Sequence, residues 1–140
     1  MIVTFLRSVG AIAAAIVVVF ILVVAIEFFS AIVHPFPEDF DGSHEEVCEH
    51  VKRYPAWVLV VAAGLWGGTA LGGTWIAGKL GNRASAIVLG LLVLSGVILN
   101  ISMLPYPVWF KIASPLAVAL GIGCGFQLST RRAMTASNNG

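Results

Sequence analysis

Residues 56–77 read AWVLVVAAGLWGGTALGGTWIA and contain no charged side chain. The hydrocarbon core of a membrane is about 30 Å thick, so a spanning helix needs about 20 consecutive apolar residues. This stretch meets that requirement, and it decides the fold because a soluble domain rarely buries so long an uncharged run. The sequence therefore predicts a transmembrane helix here.

Three other stretches have similar length and apolar character. They are 9–33, which contains the single charge of Glu27, 84–104, which is uncharged, and 107–128, which contains Lys111. The whole chain agrees, since 59% of its 140 residues are hydrophobic and its mean hydropathy is +0.96. We predict an all-α fold: a single domain, 1–128, formed by an antiparallel bundle of four transmembrane helices, and a flexible cytoplasmic tail, 129–140.

The first apolar stretch has features of a signal peptide, because Arg7 precedes a long apolar run. Phe28 and Phe29, however, stand where a cleavage site would need small residues. We therefore expect an uncleaved first span, with a cleaved signal peptide as the alternative.

Charge is distributed unevenly among the connections. All seven acidic residues lie between Glu27 and Glu49, and six of them fall in the connection 35–54. Five of the eight basic residues fall before the first span, between the second and third, or after the fourth: Arg7, Lys79, Arg83, Arg131 and Arg132. Lys and Arg in short loops mark the cytoplasmic side of a membrane. We expect both termini in the cytoplasm and the connection 35–54 outside.

Small residues recur at four-residue intervals in two of the predicted spans. They are Gly64, Gly68 and Gly72 in the second span and Ala117, Gly121 and Gly125 in the fourth. Such ridges let helix backbones approach closely in lipid. We predict that they pack helices within the chain, with the interface of a homo-oligomer or a contact with a partner membrane protein as the alternative. Nucleic acid is not expected as a partner, because the chain has no basic stripe.

The connection 35–54 is the longest polar segment between spans. Ser43 followed by Glu46 is a capping-box pattern, which predicts a short amphipathic helix from His44 to about Arg53. His44 and Cys48 are four residues apart on this helix, so they share a face and could bind a metal ion. The alternative is a solvated acidic helix with ordinary ion pairs. The sequence identifies no cofactor.

Five polar residues are expected at a similar depth near the outer ends of three spans: Glu27, Ser30, His34, Asn100 and Lys111. Ionisable residues inside a span usually face protein or water rather than lipid. These residues are our candidate ligand or ion site, with a Glu27–Lys111 pair at its centre. The alternative is structural: Lys111 extends toward the outer headgroups, and Glu27 fixes the first helix against its neighbours.

Two stretches, EFFSAIVHPFP (27–37) and NISMLPYPVWFKIAS (100–114), resemble small four-span membrane proteins of bacteria. The resemblance implies a place in the bacterial inner membrane and carries no particular activity.

Three functions are consistent with the sequence. Because no catalytic motif is recognisable, the leading hypothesis is a non-enzymatic accessory or interaction component of the membrane. The alternative is a small oligomeric transporter or channel, proton-linked through Glu27. A second alternative is a metal-binding or enzymatic membrane protein that uses His34, His44 and Cys48.

Overall fold

The computed structural model describes residues 2–137, and the side chains of residues 2–130. Within that part the chain forms five α-helices and no strand, and the helices run as follows: α1 (Ile2–Val33), α2 (His44–Lys52), α3 (Ala56–Leu80), α4 (Arg83–Met103) and α5 (Val108–Ser137). All except α2 are long and apolar enough to cross a membrane. The prediction of an all-α fold with four such helices is therefore confirmed.

The first and last long helices extend beyond the bounds that hydropathy predicts. Helix α1 begins at Ile2 rather than near residue 9, because no Pro or Gly interrupts 2–8. Helix α5 continues to Ser137, past the predicted end at 128 and into the segment expected to be a flexible tail. The remainder of that predicted tail, 138–140, lies outside the described residues.

The short helix and the turn between α3 and α4 are set by local capping. The Ser43 hydroxyl accepts a hydrogen bond from the Glu46 backbone N–H at 3.3 Å, at the start of α2. The Asn82 side-chain oxygen accepts one from the Ser85 backbone N–H at 3.0 Å, at the start of α4. Each cap satisfies a backbone donor that the first turn of a helix leaves free.

Helix α3 is the centre of the structure. It contacts α1, α4 and α5, and its contact with α5 is the most extensive of all. Helix α4 also contacts the other three long helices, whereas α1 and α5 do not contact each other within the described residues. The pair α3–α4 therefore separates α1 from α5, and the space between α1 and α4 is bounded by α3.

The close contact between α3 and α5 is made by glycines. Gly121 of α5 lies against the backbone of Gly67, and a Cβ added to Gly67 would lie 2.9 Å from the carbonyl oxygen of Ala117. The sequence predicts that the α5 ridge packs within the chain but does not indicate which helix it contacts. On α3, however, the contacting residue is Gly67, one position before Gly68, and one position rotates a side chain by about 100° around a helix.

The predicted ridge on α3 faces elsewhere. A Cβ added to Gly64, Gly68 or Gly72 would meet no atom within 4 Å. The expected packing of these three glycines within the chain is therefore not observed among the described residues. Their role in an oligomer or partner contact stays a prediction.

The two ends of the helix assembly are held differently. At one end, Leu59, Ile101 and Phe110 form a buried cluster against which Tyr54 and Tyr106 pack. We call this the α2 end, because α2 lies in the connection leading to it. We call the opposite end the turn end, because the short turn between α3 and α4 lies there. At the turn end, the Arg7 guanidinium donates a hydrogen bond to the carbonyl oxygen of Leu80 at 2.8 Å. The cluster holds α3, α4 and α5 together at the α2 end, whereas the Arg7 hydrogen bond holds α1 to α3 at the turn end.

Candidate functional site

A cavity of about 490 Å³ lies between α1, α3 and α4, and it opens on the surface of the helix assembly, where the lining residues Ile16, Val23 and Leu92 are exposed. Its walls are mainly the aliphatic side chains of α1 and α4. Four residues with polar groups also line it: Glu27, Trp66, Thr69 and Asn100. A largely apolar cavity of this size with a few polar groups is the usual composition of a small-molecule site.

The cavity exists because α1 and α4 are held apart while α3 bridges them. Their mutual contact is the smallest among the helix pairs that touch. Gly96 of α4 leaves additional room, since a Cβ at this position would meet no atom within 4 Å. Val19 and Leu89 bring the helices back together on either side of Gly73, toward the turn end.

The polar groups are concentrated toward one end of the cavity. Glu27 and Ile16 both line it and are eleven residues apart on α1, which corresponds to about 16 Å along the helix. Asn100 and Leu89 show the same separation on α4. Glu27 and Asn100 lie toward the α2 end, whereas Ile16 and Leu89 are apolar and lie toward the turn end. The cavity is therefore elongated and polar at one end.

Glu27 also lines a second, much smaller void, of about 30 Å³. Ser30, Tyr54 and Tyr106 line this void as well. Its volume is sufficient for a water molecule, and its polar walls could hold one. The Glu27 carboxylate makes no hydrogen bond and no ion pair with the described side chains.

The two tyrosines beside Glu27 keep their phenolic protons. Burial raises the pKa of Tyr54, and the negative charge of Glu27 raises it further, while a hydrogen bond with Ser30 acts in the opposite direction. Burial likewise raises the pKa of Tyr106, with additional contributions from Tyr54 and Glu27. Both groups are therefore neutral hydrogen-bond donors near the carboxylate at physiological pH.

Asn100 has an incomplete set of hydrogen bonds. Its side-chain oxygen is buried and has no hydrogen-bond partner among the described residues. A buried acceptor without a partner is costly, and such groups in native structures call for an explanation.

The structure brings together some of the five predicted site residues and separates others. Glu27 and Asn100 share the large cavity, and Glu27 and Ser30 share the small void. Lys111 lines neither of them and forms no ion pair with Glu27; the ion pair found among the described residues is Lys52–Glu49, at 2.6 Å. That these residues act in function stays a prediction.

His34 lies in an aromatic cluster that joins α2 to the end of α1. Its ring stacks on His50 with centroids 4.4 Å apart and lies 4.8 Å from the ring of Tyr54. The opposite face of His50 stacks on Phe36 at 4.1 Å. The Nε2 atoms of both histidines are buried without a hydrogen-bond partner among the described residues.

The predicted metal-ligand pair lies outside this cluster. The Cys48 Sγ and His44 Nε2 atoms are 3.5 Å apart on the exposed side of α2. Within the described part of the chain, no group of three or more His, Cys, Asp and Glu side chains is placed to hold a metal ion. The metal hypothesis thus rests on two neighbouring groups and remains untested.

Trp66, Thr69, Tyr54 and Tyr106 are not among the candidate site residues that the sequence indicates. Trp66 and Thr69 carry no sequence signal that separates them from other residues of an apolar span. His50 does carry one, since it is four residues before Tyr54, and the two rings lie 5.3 Å apart.

Comparison of the chain with family models, curated proteins and solved structures found no match.

Proposed function

We propose that the chain is a non-enzymatic component of a bacterial inner membrane that binds a small amphiphilic molecule between α1, α3 and α4. The observation that carries this proposal is the cavity of about 490 Å³, apolar along its length and polar at the α2 end. Its volume lies within the range of about 300–1,000 Å³ that small-molecule sites occupy. An amphiphile dissolved in the membrane has the same division into a polar head and an apolar tail.

The proposal includes an antiparallel four-span bundle with α2 on the outer side. Two glycine environments support the helix directions. Near Gly73 of α3 lie Val19 of α1 and Leu89 of α4, and further along α3, near Gly81, lies the earlier residue Ala11 of α1. As the chain advances along α3, it moves backward along α1, so these two helices run in opposite directions. The excess of basic residues in the other connections favours both termini in the cytoplasm.

The decisive experiment fills the cavity. Gly96→Leu places a side chain in a space where a Cβ has no neighbour within 4 Å. Gly123→Leu is the matched control, because Gly123 of α5 also has no neighbour within 4 Å but does not line the cavity. The protein is extracted gently, and small molecules that remain bound are identified by native mass spectrometry.

We expect wild type and Gly123→Leu to retain a defined small molecule in stoichiometric amount, and Gly96→Leu to lose it. Both variants should keep the same thermal stability within about 0.5 kcal/mol, because neither creates a clash. Equal retention by all three proteins would contradict the proposal, as would the absence of any bound molecule from wild type.

A proton-linked transporter is the second candidate, and one observation favours it. Glu27 lines both the large cavity and the small void, so a single titratable group lies between the two. Glu27→Gln removes the titratable group while preserving shape. If the protein is a transporter of this kind, proton flux into proteoliposomes carrying an internal pH dye falls to the level of empty vesicles in this variant. Wild-type flux equal to that of empty vesicles would exclude the second candidate.

A further inference from the structure

Resting on the proposed function, we infer that the bound amphiphile has a head group that donates hydrogen bonds, a hydroxyl or an ammonium, and that carries no negative charge. The juxtaposition behind this inference is Glu27 beside Asn100 in a cavity whose lining contains no cationic side chain. The proposed function requires only an amphiphile, and the inference adds the chemistry of its head.

Glu27 is the only charged residue in the lining of the cavity. A carboxylate accepts hydrogen bonds but donates none, and a protonated carboxyl keeps one oxygen that accepts. No Lys, Arg or His lines the cavity, and Lys111 lies elsewhere. An anionic head would face Glu27 with no compensating charge, and like charges repel. A donor head would meet an acceptor instead.

Asn100 fits the same head group. Its side-chain oxygen is buried and has no partner among the described residues, so the amide group that remains for a head in the cavity is the donating nitrogen. A hydroxyl can donate to Glu27 and accept from this amide, whereas an ammonium donates to Glu27 alone. Both head types therefore donate to Glu27, and the measurement below separates them.

The position of the polar end agrees with this assignment. Glu27 lies less than two turns from the end of α1 at Val33, and Asn100 lies one turn from the end of α4 at Met103, so both are near the helix ends at the α2 end. The lining further along, at Ile16, Val19 and Leu89, is aliphatic. A single-chain amphiphile placed with its head at Glu27 keeps the head near the interface and extends its tail toward the membrane interior.

Trp66 provides a reporter, because its ring lines the cavity. In a variant with Phe at Trp57, Trp75 and Trp109, which are all more than one-third exposed, Trp66 is the remaining indole. A second variant that keeps only Trp75, outside the cavity, reports quenching from the surrounding lipid. The probes are dodecanol, dodecylamine, dodecanoate and methyl dodecyl ether, each brominated on the chain so that contact quenches an indole.

We expect dodecanol or dodecylamine to quench Trp66 at about tenfold lower concentration than the ether or the carboxylate, which is the effect of one hydrogen bond to a charged group. Trp75 should respond to all four probes alike. Comparing the concentrations of dodecanol and dodecylamine that quench Trp66 identifies which of the two donors binds more tightly. In Glu27→Gln the preference for the amine over the ether should fall to less than threefold.

The possible failures are distinguishable. If all four probes quench Trp66 equally, and more strongly than Trp75, the cavity binds amphiphiles without discriminating between their head groups. In that case the proposed function stands and the inference is overturned. The strongest quenching by dodecanoate overturns it in the same way. If no probe favours Trp66 over Trp75, the proposed function fails, and the inference fails with it.

Discussion

At the scale of single residues, the glycines of α5 decide how closely two helices approach. Gly121 lies against the backbone of α3 at Gly67 and Leu71, and Gly125 lies against Leu71 and Thr74. Gly123, between them, faces open space. Helix association in lipid depends on such close packing, because burying apolar surface gains little there. A side chain at Gly121 must therefore push α3 and α5 apart.

Gly121→Val should lower the free energy of unfolding by about 1–3 kcal/mol, the usual cost of overpacking a tight contact. Gly123→Val is the control and should change it by less than about 0.5 kcal/mol. Reversible unfolding in mixed micelles measures both values. Equal losses in the two variants would mean that the α3–α5 contact is not where the structure has it.

Residue-level prediction from sequence succeeds where a residue differs chemically from its surroundings. Glu27 and Asn100 stand out as polar residues in apolar spans, and they do share one cavity. Sequence could not show that Lys111 lies away from Glu27, because the rotation of each helix about its axis is set by packing with its neighbours. The same rotation explains why Gly67 rather than Gly68 meets α5.

At the scale of elements, α2 is held to the rest of the chain by aromatic rings. His50 lies between His34 and Phe36, and only 6% of its surface is exposed. Burial lowers the pKa of His50, and the nearby positive charges of His34 and Arg53 lower it further, while a hydrogen bond with the His34 backbone acts in the opposite direction. The docked α2 therefore favours a neutral His50.

Acidification should weaken this docking. An unfolded histidine takes up a proton near its ordinary pKa of about 6.5, whereas the docked His50 takes one up only at lower pH. Stability is then constant above about pH 7.5 and falls as the pH decreases through 6.5 toward the lower folded pKa. Thermal unfolding in detergent, measured from about pH 8 to about pH 5.5, follows this loss.

His50→Phe keeps an aromatic ring in the stack and cannot titrate, so its stability should vary less with pH in this window. His44→Phe is the matched control on the exposed face of α2 and should keep the wild-type dependence. The opposite result, an unchanged slope in His50→Phe, would place the pH-sensitive group elsewhere.

Element prediction from sequence depends on how local the determining interactions are. The start of α2 follows from two residues three positions apart, because Ser43 caps the backbone N–H of Glu46 within one turn. The observed start at His44 agrees with this capping-box pattern. The contact between His34 and His50 joins two helices across a loop, and no periodicity in either helix indicates it. Periodic patterns report the face of a helix, not the partner of that face.

At the scale of the whole molecule, the proposed topology is defined by the membrane face that carries α2. The proposed orientation places α2 outside and the α3–α4 turn in the cytoplasm. Cys48 of α2 is partly exposed, whereas the other cysteine, Cys124, lies within the apolar part of α5. The native thiol at Cys48 can therefore report the side of the membrane on which α2 lies.

A membrane-impermeant maleimide should label Cys48 in intact spheroplasts when Cys124 is replaced by Ala. In a variant with both native cysteines replaced and Lys79→Cys introduced near the turn end, labelling should require permeabilised cells. Lys79 is exposed, so accessibility does not limit this control. The reverse pattern of labelling would invert the proposed topology.

The measurement that tests the central claim most directly maps where an amphiphile binds. A dodecanol carrying a diazirine on its chain is photoactivated in membranes that contain the protein, and the labelled residues are identified by mass spectrometry. We expect label on the cavity residues Val19, Val93 and Val97, which are only partly exposed, well above that on the lipid-exposed Leu120, and expect Gly96→Leu to remove the excess. Labelling that follows lipid exposure alone, strongest at Leu120 and unaffected by Gly96→Leu, would contradict the account.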